Sequence, residues 1–243
     1  MKQILYKAIY LTSAVFLLWY MASLLIHSKI IPSPFVVVAH TCNIFQDKIL
    51  IHCFYSLKRI GIGILAALAI GWPAGICIGY FKWLDKLISP LIYFFYPTPK
   101  IAFLPIIMLL FGLGDRSKII IITLIIIFQI LLSLRDFIKN LDHRYYFPLI
   151  SIGAKPIDIF IHILIPASLP RLLSSIRIAL ATSISVLFFA ENFGTTYGLG
   201  YYIMDAMLRI NYIDMYSGIL ILSLIGFLLF ALIDFIEKKL IRW

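Results

Sequence analysis

The sequence predicts an all-α integral membrane protein with six transmembrane helices and a cytoplasmic helix in the loop between the fourth and fifth. Composition is the first reason: of the 243 residues, 63% are hydrophobic and 13% are charged, whereas soluble domains are about half apolar and about a quarter charged. The second reason is that six apolar segments are long enough to cross a bilayer. The third is that the net charge of +10 lies mainly in short loops, which indicates membrane orientation and argues against nucleic-acid binding.

Charged and turn-forming residues separate the six apolar segments. The first has a basic start at Lys2 and Lys7, as signal peptides do, but it lacks a small-x-small cleavage site and exceeds a signal core in length. We therefore predict that it is retained as a span. The predicted spans are residues 8–26, 60–81, 87–113, 119–134, 172–190 and 216–236.

The distribution of lysine and arginine predicts the orientation. With the N-terminus inside, the cytoplasmic pieces are residues 1–7, 82–86, 135–177 and 237–243, and they hold most of the lysine and arginine residues. The prediction is thus a chain that crosses the membrane several times, with both termini in the cytoplasm. Lys58 and Arg59 run against this rule, because they fall at the external start of the second span.

The third apolar segment contains four prolines, and Lys100 lies in its middle. Proline removes a backbone donor and clashes with the preceding helical turn, and irregular backbone at membrane depth is tolerated where protein buries it or where it lines a wet cavity. One interpretation is a broken helix on a translocation path, formed by Pro97, Pro99 and Lys100. The other is a short re-entrant or interfacial helix packed under the second span.

Gly71, Gly75 and Gly79 recur every four residues in the second span and line one helix face. Small residues at this spacing allow another helix to approach closely. Packing within one subunit and packing between subunits both fit this pattern.

No catalytic constellation, metal-ligand spacing or phosphate-binding G-x-x-x-x-G-K-[ST] loop is present in the sequence. We therefore predict no enzymatic activity and no cofactor, and any energy coupling requires another polypeptide. Cys42 and Cys53 share one predicted external segment, where they could form a disulfide.

Glu191 ends the fifth apolar segment beside Asn192. An acid at the rim of a span is a functional candidate, and it would line a pathway or pair with a base. The alternative is an interfacial acid in contact with water.

The loop between the fourth and fifth spans predicts a helix–turn–helix over residues 145–165. Gly153 supplies a turn position without a β-carbon, and Pro156 suits the first turn of the second helix. We expect Pro166 and Pro170 to end that helix. An amphipathic helix lying on lipid headgroups is the alternative. In either case, helical spacing in the second helix of this loop places one set of side chains on one side and a polar set on the other. The first set is Ile157, Phe160, Ile161 and Leu164, and the second is Lys155, Asp158 and His162.

This loop resembles the signature loop of binding-protein-dependent ABC importer permeases, in which glycine is followed after nine residues by Ile-x-Leu-Pro. Gly153, Ile163 and Pro166 stand at the matching offsets, and Ile165 replaces the leucine. Further stretches are similar to the nitrate/sulfonate/taurine-type permeases, in the same order from about Ser56 onward. They are residues 97–102 with Pro105, 111–115 with 117–118, and 190–191 leading to 197–200.

The resemblance implies the type I importer permease fold over residues 56–243, preceded by an N-terminal span and external segment over residues 1–55, in a bacterial plasma (inner) membrane. It implies a homodimer that imports a small sulfonate-, taurine-, nitrate- or vitamin-precursor-like solute, with cytoplasmic ATP-binding subunits and a periplasmic or lipid-anchored substrate-binding protein as partners. It also implies an ATPase-coupling region made of Gly153, Ala154, Lys155, Pro156, Ile157, Asp158, Phe160, Ile161, His162 and Pro166.

The first half of the loop departs from the family pattern. Phe147, Pro148 and Leu149 stand where the family has Glu-Ala-Ala. One interpretation is that the loop docks through Gly153 onward with a different first helix, and the other is that the transporter is weakly coupled or decaying. An ion-coupled carrier or channel that needs no ATPase is the rival function.

Overall fold

The computed structural model describes residues 2–26 and 28–241, with the backbone alone for residues 2–12 and 143. Every regular element in this part of the chain is helical. Short π-helical turns at Phe45–Ile49 and Phe160–Leu164 join α2 to α3 and α8 to α9. The helices are α1 (Lys2–Ile26), α2 (Pro34–Ile44), α3 (Leu50–Tyr80), α4 (Lys82–Phe95), α5 (Leu104–Phe111), α6 (Asp115–Lys139), α7 (Phe147–Ser151), α8 (Pro156–Ile159), α9 (Ile165–Glu191), α10 (Leu199–Leu208) and α11 (Tyr212–Leu240).

Four continuous helices in the described part of the chain are long and apolar enough to cross a membrane. They are Pro34–Tyr80, Asp115–Lys139, Pro156–Glu191 and Tyr212–Leu240. The pair α4 and α5 gives a fifth span if it is counted as one, and it is bent by 79°. The first predicted span falls in α1, and the charges of Lys2, Lys7 and Arg242 used for the orientation lie outside the described side chains.

The segment before the second predicted span is helical rather than a loop. Together α2, the π turn and α3 form one helix of 47 residues. Cys42 and Cys53 lie on this helix as free thiols, about 16 Å apart at about 1.5 Å per residue. Because a disulfide requires Cα atoms within about 7 Å, the predicted option of a bridge between them is wrong.

The chain divides into two compact units. The first comprises residues 1–56 and 196–224. Within it, His40 Nε2 lies 2.7 Å from Asp214 Oδ1, and the Leu199 amide donates to Ser56 Oγ at 2.8 Å. These contacts tie α2 and α3 to α10 and α11.

The second unit comprises residues 57–195 and 225–243 and contains the predicted coupling loop. Its core is built around α6 and α9. Apolar side chains recur on α6 at helical spacing and are fully buried, among them Ile122, Ile126, Ile130 and Leu134. The buried side chains of α6 pack against those of α9 along the length of this core.

The glycine face of α3 packs against α6 of the same chain. A β-carbon at Gly75 would lie 2.9 Å from both the Leu131 carbonyl oxygen and Leu134 Cβ, and one at Gly79 would lie 2.7 Å from the Arg135 carbonyl oxygen. The structure therefore favours packing within one subunit over packing between subunits for this face.

Candidate functional site

The turn at Gly153 is a helix C-cap. The Gly153 amide donates to the Ile150 carbonyl and the Ala154 amide to the Leu149 carbonyl, both at 3.0 Å, which is the Schellman pattern. Gly153 has φ +76°, and a β-carbon there would meet nothing within 4 Å. The glycine is thus required by its left-handed backbone, as predicted for a turn, and not by a close neighbour.

The helix after the turn begins where the sequence predicts. Pro156 is its first residue, and the Asp158 carboxylate accepts from the Lys155 amide at 2.8 Å. A side-chain oxygen that satisfies a free amide at a helix start stabilises that start. The backbone of Lys155 and Pro156 is therefore fixed relative to α8.

The predicted helix end at Pro166 and Pro170 is wrong. Residues Pro156–Glu191 form one helix of 36 residues, with Pro166 in the first turn of α9 and Pro170 inside it. The π turn at Phe160–Leu164 explains the continuity, because its extra residue displaces the carbonyl that the ring of Pro166 would otherwise meet.

The predicted apolar face of this helix is divided. Leu164 is 0% exposed, whereas Ile157 and Ile161 are 57% and 50% exposed. The wider π turn rotates Leu164 away from the face that carries the two isoleucines, and Phe160 is half-buried. An apolar pair therefore remains on the surface of the predicted coupling region.

Tyr146 anchors the loop to the membrane helices. It is 5% exposed and belongs to a small core with Ile76 of α3, Ile138 of α6, and Ile159 and Leu164 of the loop helix. Burial, with Tyr80 nearby, raises the pKa of Tyr146 to about 12, so the phenol is neutral at physiological pH. The loop is thus packed directly against α3 and α6.

The departure from the family pattern lies mostly on the surface. Phe147 is 70% exposed and Pro148 is also exposed, whereas Leu149 is half-buried and packs against the core around Tyr146. The short helix offers apolar side chains where the family has an acid and two small residues.

The proline-rich segment is interrupted by a 79° bend between α4 and α5, which fits both predicted interpretations, and Lys100 lies at the break. Lys100 Nζ donates to the carbonyls of Phe95 and Tyr96 at 3.1 and 2.9 Å and lies 4.7 Å from the ring centroid of Phe128. A cation at the C-terminal end of a helix satisfies free carbonyls and opposes the helix dipole. Pro97 and Pro99 lie between α4 and this cap.

Glu191 lies at the other end of the unit and is fully buried. Its Oε1 accepts from Arg59 Nη1 at 2.5 Å, and Arg59 also donates to Asp115 Oδ1 through Nε and Nη2. Glu191 therefore pairs with a base rather than lying in water. The neighbouring Asn192 Oδ1 is buried and has no hydrogen-bond partner among the described residues.

Two lysines complete this charge cluster. Lys58 Nζ donates to Asp115 Oδ2 at 2.8 Å, and the fully buried Lys118 donates to the Leu113 carbonyl at 2.5 Å. The sequence contained a signal for the cluster, since Lys58 and Arg59 violate the expected charge distribution. The structure shows that both are compensated by carboxylates.

Comparison with known proteins places the chain in one family. Residues 59–242 match the family described as "Binding-protein-dependent transport system inner membrane component". The chain is 30% identical over 232 residues to the taurine transport system permease protein TauC of Escherichia coli (strain K12), covering 93% of this chain and 84% of that protein.

Other relatives and solved structures agree. Identity is 28% over 214 residues to the formylaminopyrimidine transport permease protein ThiX of Halalkalibacterium halodurans, with 88% and 86% of the two chains covered. The fold is similar to that of an inward-facing MetNI methionine ABC transporter, with a TM-score of 0.70, 19% identity, and 80% and 96% of the two chains covered. The chain belongs to the binding-protein-dependent inner-membrane components, the permease subunits of ATP-driven ABC importers whose ATPase is a separate subunit.

Proposed function

We propose that this permease imports a small solute of the sulfonate, taurine, nitrate or vitamin-precursor kind, and that α8 with the turn at Gly153 is its coupling element. The relatives named for taurine and formylaminopyrimidine transport support the solute class. The rigid turn and the exposed pair Ile157 and Ile161 support the coupling role.

The length of the loop helix carries this proposal. A helix of 36 residues is about 54 Å long, whereas the hydrocarbon core is about 30 Å thick. Since about 20 residues suffice to cross it, the stretch from Pro156 to about Arg171 extends beyond the hydrocarbon. Ile157 and Ile161 at its tip are then out of reach of lipid tails, and a protein partner is the surface that covers them.

The core around Tyr146 explains how the coupling would work. Closure of two ATPase subunits would push the loop helix, and the contacts of Ile159 and Leu164 with Ile76 and Ile138 would pass that push to α3 and α6. Rigid-body rocking of packed helices is a common form of such transitions.

The remaining parts of the assembly follow from the same proposal. The chain forms a homodimer, crosses the membrane six times with both termini in the cytoplasm, and receives solute from a periplasmic or lipid-anchored binding protein. The break at Pro97, Pro99 and Lys100 borders the translocation path. Glu191 and Asn192 close its opposite end.

Co-purification with the ATPase subunit tests the coupling role. We expect the double substitution Ile157→Glu and Ile161→Glu to abolish recovery of a co-expressed ATPase with the full-length permease, because two carboxylates would be buried in an apolar contact. Asn140→Glu is the matched control, since it adds an exposed charge at the same end of the unit. Undiminished ATPase recovery with the double variant would overturn the coupling role, and solute uptake by the permease alone would instead identify a carrier or channel.

A further inference from the structure

A cleft in the second unit lies between α4, α6 and α9. It has a volume of about 410 Å³. Tyr93 of α4 and Tyr96 directly after α4 line it on one side, and Ser133 of α6 and Arg171 and Ser175 of α9 line it on the other. A volume of this size holds a small organic solute.

The cleft is the place where α6 and α9 present polar side chains to each other. Ser175 Oγ donates to Ser133 Oγ at 2.8 Å, and Gln129 Nε2 donates to Thr182 Oγ1 at 3.2 Å. Gln129 Oε1 is buried and has no partner among the described residues. Polar groups within spanning helices are costly, and they commonly mark substrate pathways.

Arg171 gives the cleft a positive charge. Its Nε donates to the Ser133 carbonyl at 3.5 Å, and no carboxylate of the described residues lies within ion-pair distance of it. Asp136 also lines the cleft, but its Oδ1 accepts from Arg135 Nη1 at 2.7 Å, which offsets its charge. The guanidinium of Arg171 is therefore available to bind an anion.

A second cleft of about 440 Å³ continues the first toward the loop. It shares Asp136 and Arg171 with the first and reaches Asn140, Asp142 and Tyr145. The two clefts form a polar track from Gln129, near the middle of α6, to the end of the unit where α7 and α8 lie. Arg171 stands where they meet.

We propose that this track is the exit path of the permease and that Arg171 binds the oxyanion of a small solute, a sulfonate or carboxylate. A guanidinium presents paired donors that match such oxygens. Ser133, Ser175 and Gln129 supply neutral hydrogen-bonding groups beside it. The inference rests on the proposed importer function, narrows its solute to an oxyanion and adds the residue that recognises it. A lipid phosphate carries the same chemistry, so the test must separate the two sources.

A charge-selective cysteine probe tests the site without requiring transport. The reporter is Ile178→Cys, which lines the cleft, in a full-length chain with Cys42, Cys53 and Cys77 replaced. In phosphatidylcholine vesicles accessible from both sides, we compare modification by anionic 2-sulfonatoethyl methanethiosulfonate and cationic 2-(trimethylammonio)ethyl methanethiosulfonate. We expect Arg171 to favour the anionic reagent roughly fivefold over the ratio for free cysteine, as for one exposed charge about 10 Å away that attracts one reagent and repels the other at an effective dielectric constant near 70.

Three variants make the result specific. Arg171→Gln should abolish the preference, Arg171→Lys should retain it, and Lys86→Gln, which removes an exposed lysine that does not line the cleft, should leave it unchanged. Because each variant is read as a ratio of two reagents, a general change in accessibility cancels. Millimolar ethanesulfonate should slow modification, and ethyltrimethylammonium should not.

Two results would overturn the inference. One is a ratio that Arg171→Gln does not change. The other is protection by added phosphatidylglycerol without protection by ethanesulfonate, which would identify a lipid site. If the ratio behaves as expected but the chain shows no ATP-driven uptake with its partners, the importer function fails while the oxyanion site stands. If uptake is present and the ratio is flat, the site alone fails.

Discussion

The two ends of the second unit differ in how they treat charge and apolar surface. At the end where α6 begins and α9 ends, Arg59, Lys118 and Glu191 are almost fully buried and paired or hydrogen-bonded. At the opposite end, Ile157 and Ile161 are exposed, and the clefts beside Arg171 are open. One end is thus sealed by buried ion pairs, and the other is accessible.

This difference assigns different physical roles to the two ends. Removing one partner of a buried ion pair leaves an uncompensated charge and is costly, so the sealed end should govern the stability of the unit. The loop end is held by the helix cap at Gly153, by the hydrogen bond from the Lys155 amide to Asp158, and by the packing of Tyr146. Changes there should therefore affect coupling more than stability. Variants at each end can break or sharpen this division.

The largest effect is expected at Glu191. Glu191→Gln removes the buried charge that pairs with Arg59, and we expect it to lower the free energy of unfolding by about 3 kcal/mol. Thermal unfolding of the detergent-purified permease measures the loss. Glu237→Gln is the matched control, because Glu237 pairs with Arg177 but is 29% exposed, and its loss should stay below about 1 kcal/mol. Equal losses of unfolding free energy in the two variants would show that the sealed end does not govern the stability of the unit.

The glycine face that joins the two ends should show the next largest effect. Gly75→Ala would place a β-carbon 2.9 Å from the Leu131 carbonyl oxygen, and we expect a loss of about 2 kcal/mol as α3 and α6 separate. At Gly61 a β-carbon meets nothing within 4 Å, so Gly61→Ala should instead stabilise α3 by about 0.5 kcal/mol. If both substitutions proved neutral in thermal unfolding, the close packing of α3 on α6 would be refuted.

The sequence predicted the apolar helices of this unit well, because hydropathy reports directly on burial in lipid. It also predicted the turn at Gly153, because a residue without a β-carbon is a local signal for a turn. It failed at Pro166, where the π turn at Phe160–Leu164 lets the helix continue and Leu164 is packed in the core, and at Pro170, which lies inside α9. Local sequence rules contain no information on that packing.

The ion pair between Arg59 and Glu191 could not be predicted from the sequence, for a different reason. Arg59 and Glu191 are 132 residues apart in the sequence, and nothing local in either segment specifies the other. The sequence left a pathway, a pairing base and a wet interface open for Glu191. The tertiary arrangement of α3 and α9 supplies the pairing base and excludes the wet interface, and the pathway role stays a prediction.

At the loop end, Gly153 should affect coupling more than stability. Gly153→Ala forces a β-carbon onto a backbone at φ +76°, which costs about 1 kcal/mol and shifts the direction in which α8 leaves the turn. We expect ATP-driven uptake in proteoliposomes to fall severalfold while the unfolding midpoint changes little. Gly114→Ala is the control, because Gly114 has φ −72° and open space around it. A large fall in stability with preserved uptake would reverse the roles of the two ends.

The smallest effect is expected at Asp158, and it isolates α8 from the rest of the loop. Asp158→Ala removes the acceptor of the Lys155 amide and should cost about 0.5–1 kcal/mol of order at the start of α8, which corresponds to a two- to fivefold weaker affinity for the ATPase subunit. Titration of the detergent-purified permease with ATPase measures it. Asp142→Ala removes a similar contact, to the Arg144 amide at 2.9 Å, but outside α8. If the two substitutions weakened ATPase binding equally, the partner would contact the loop as a whole; a selective effect of Asp158 would assign the contact to α8, because only that carboxylate fixes the helix that carries Ile157 and Ile161.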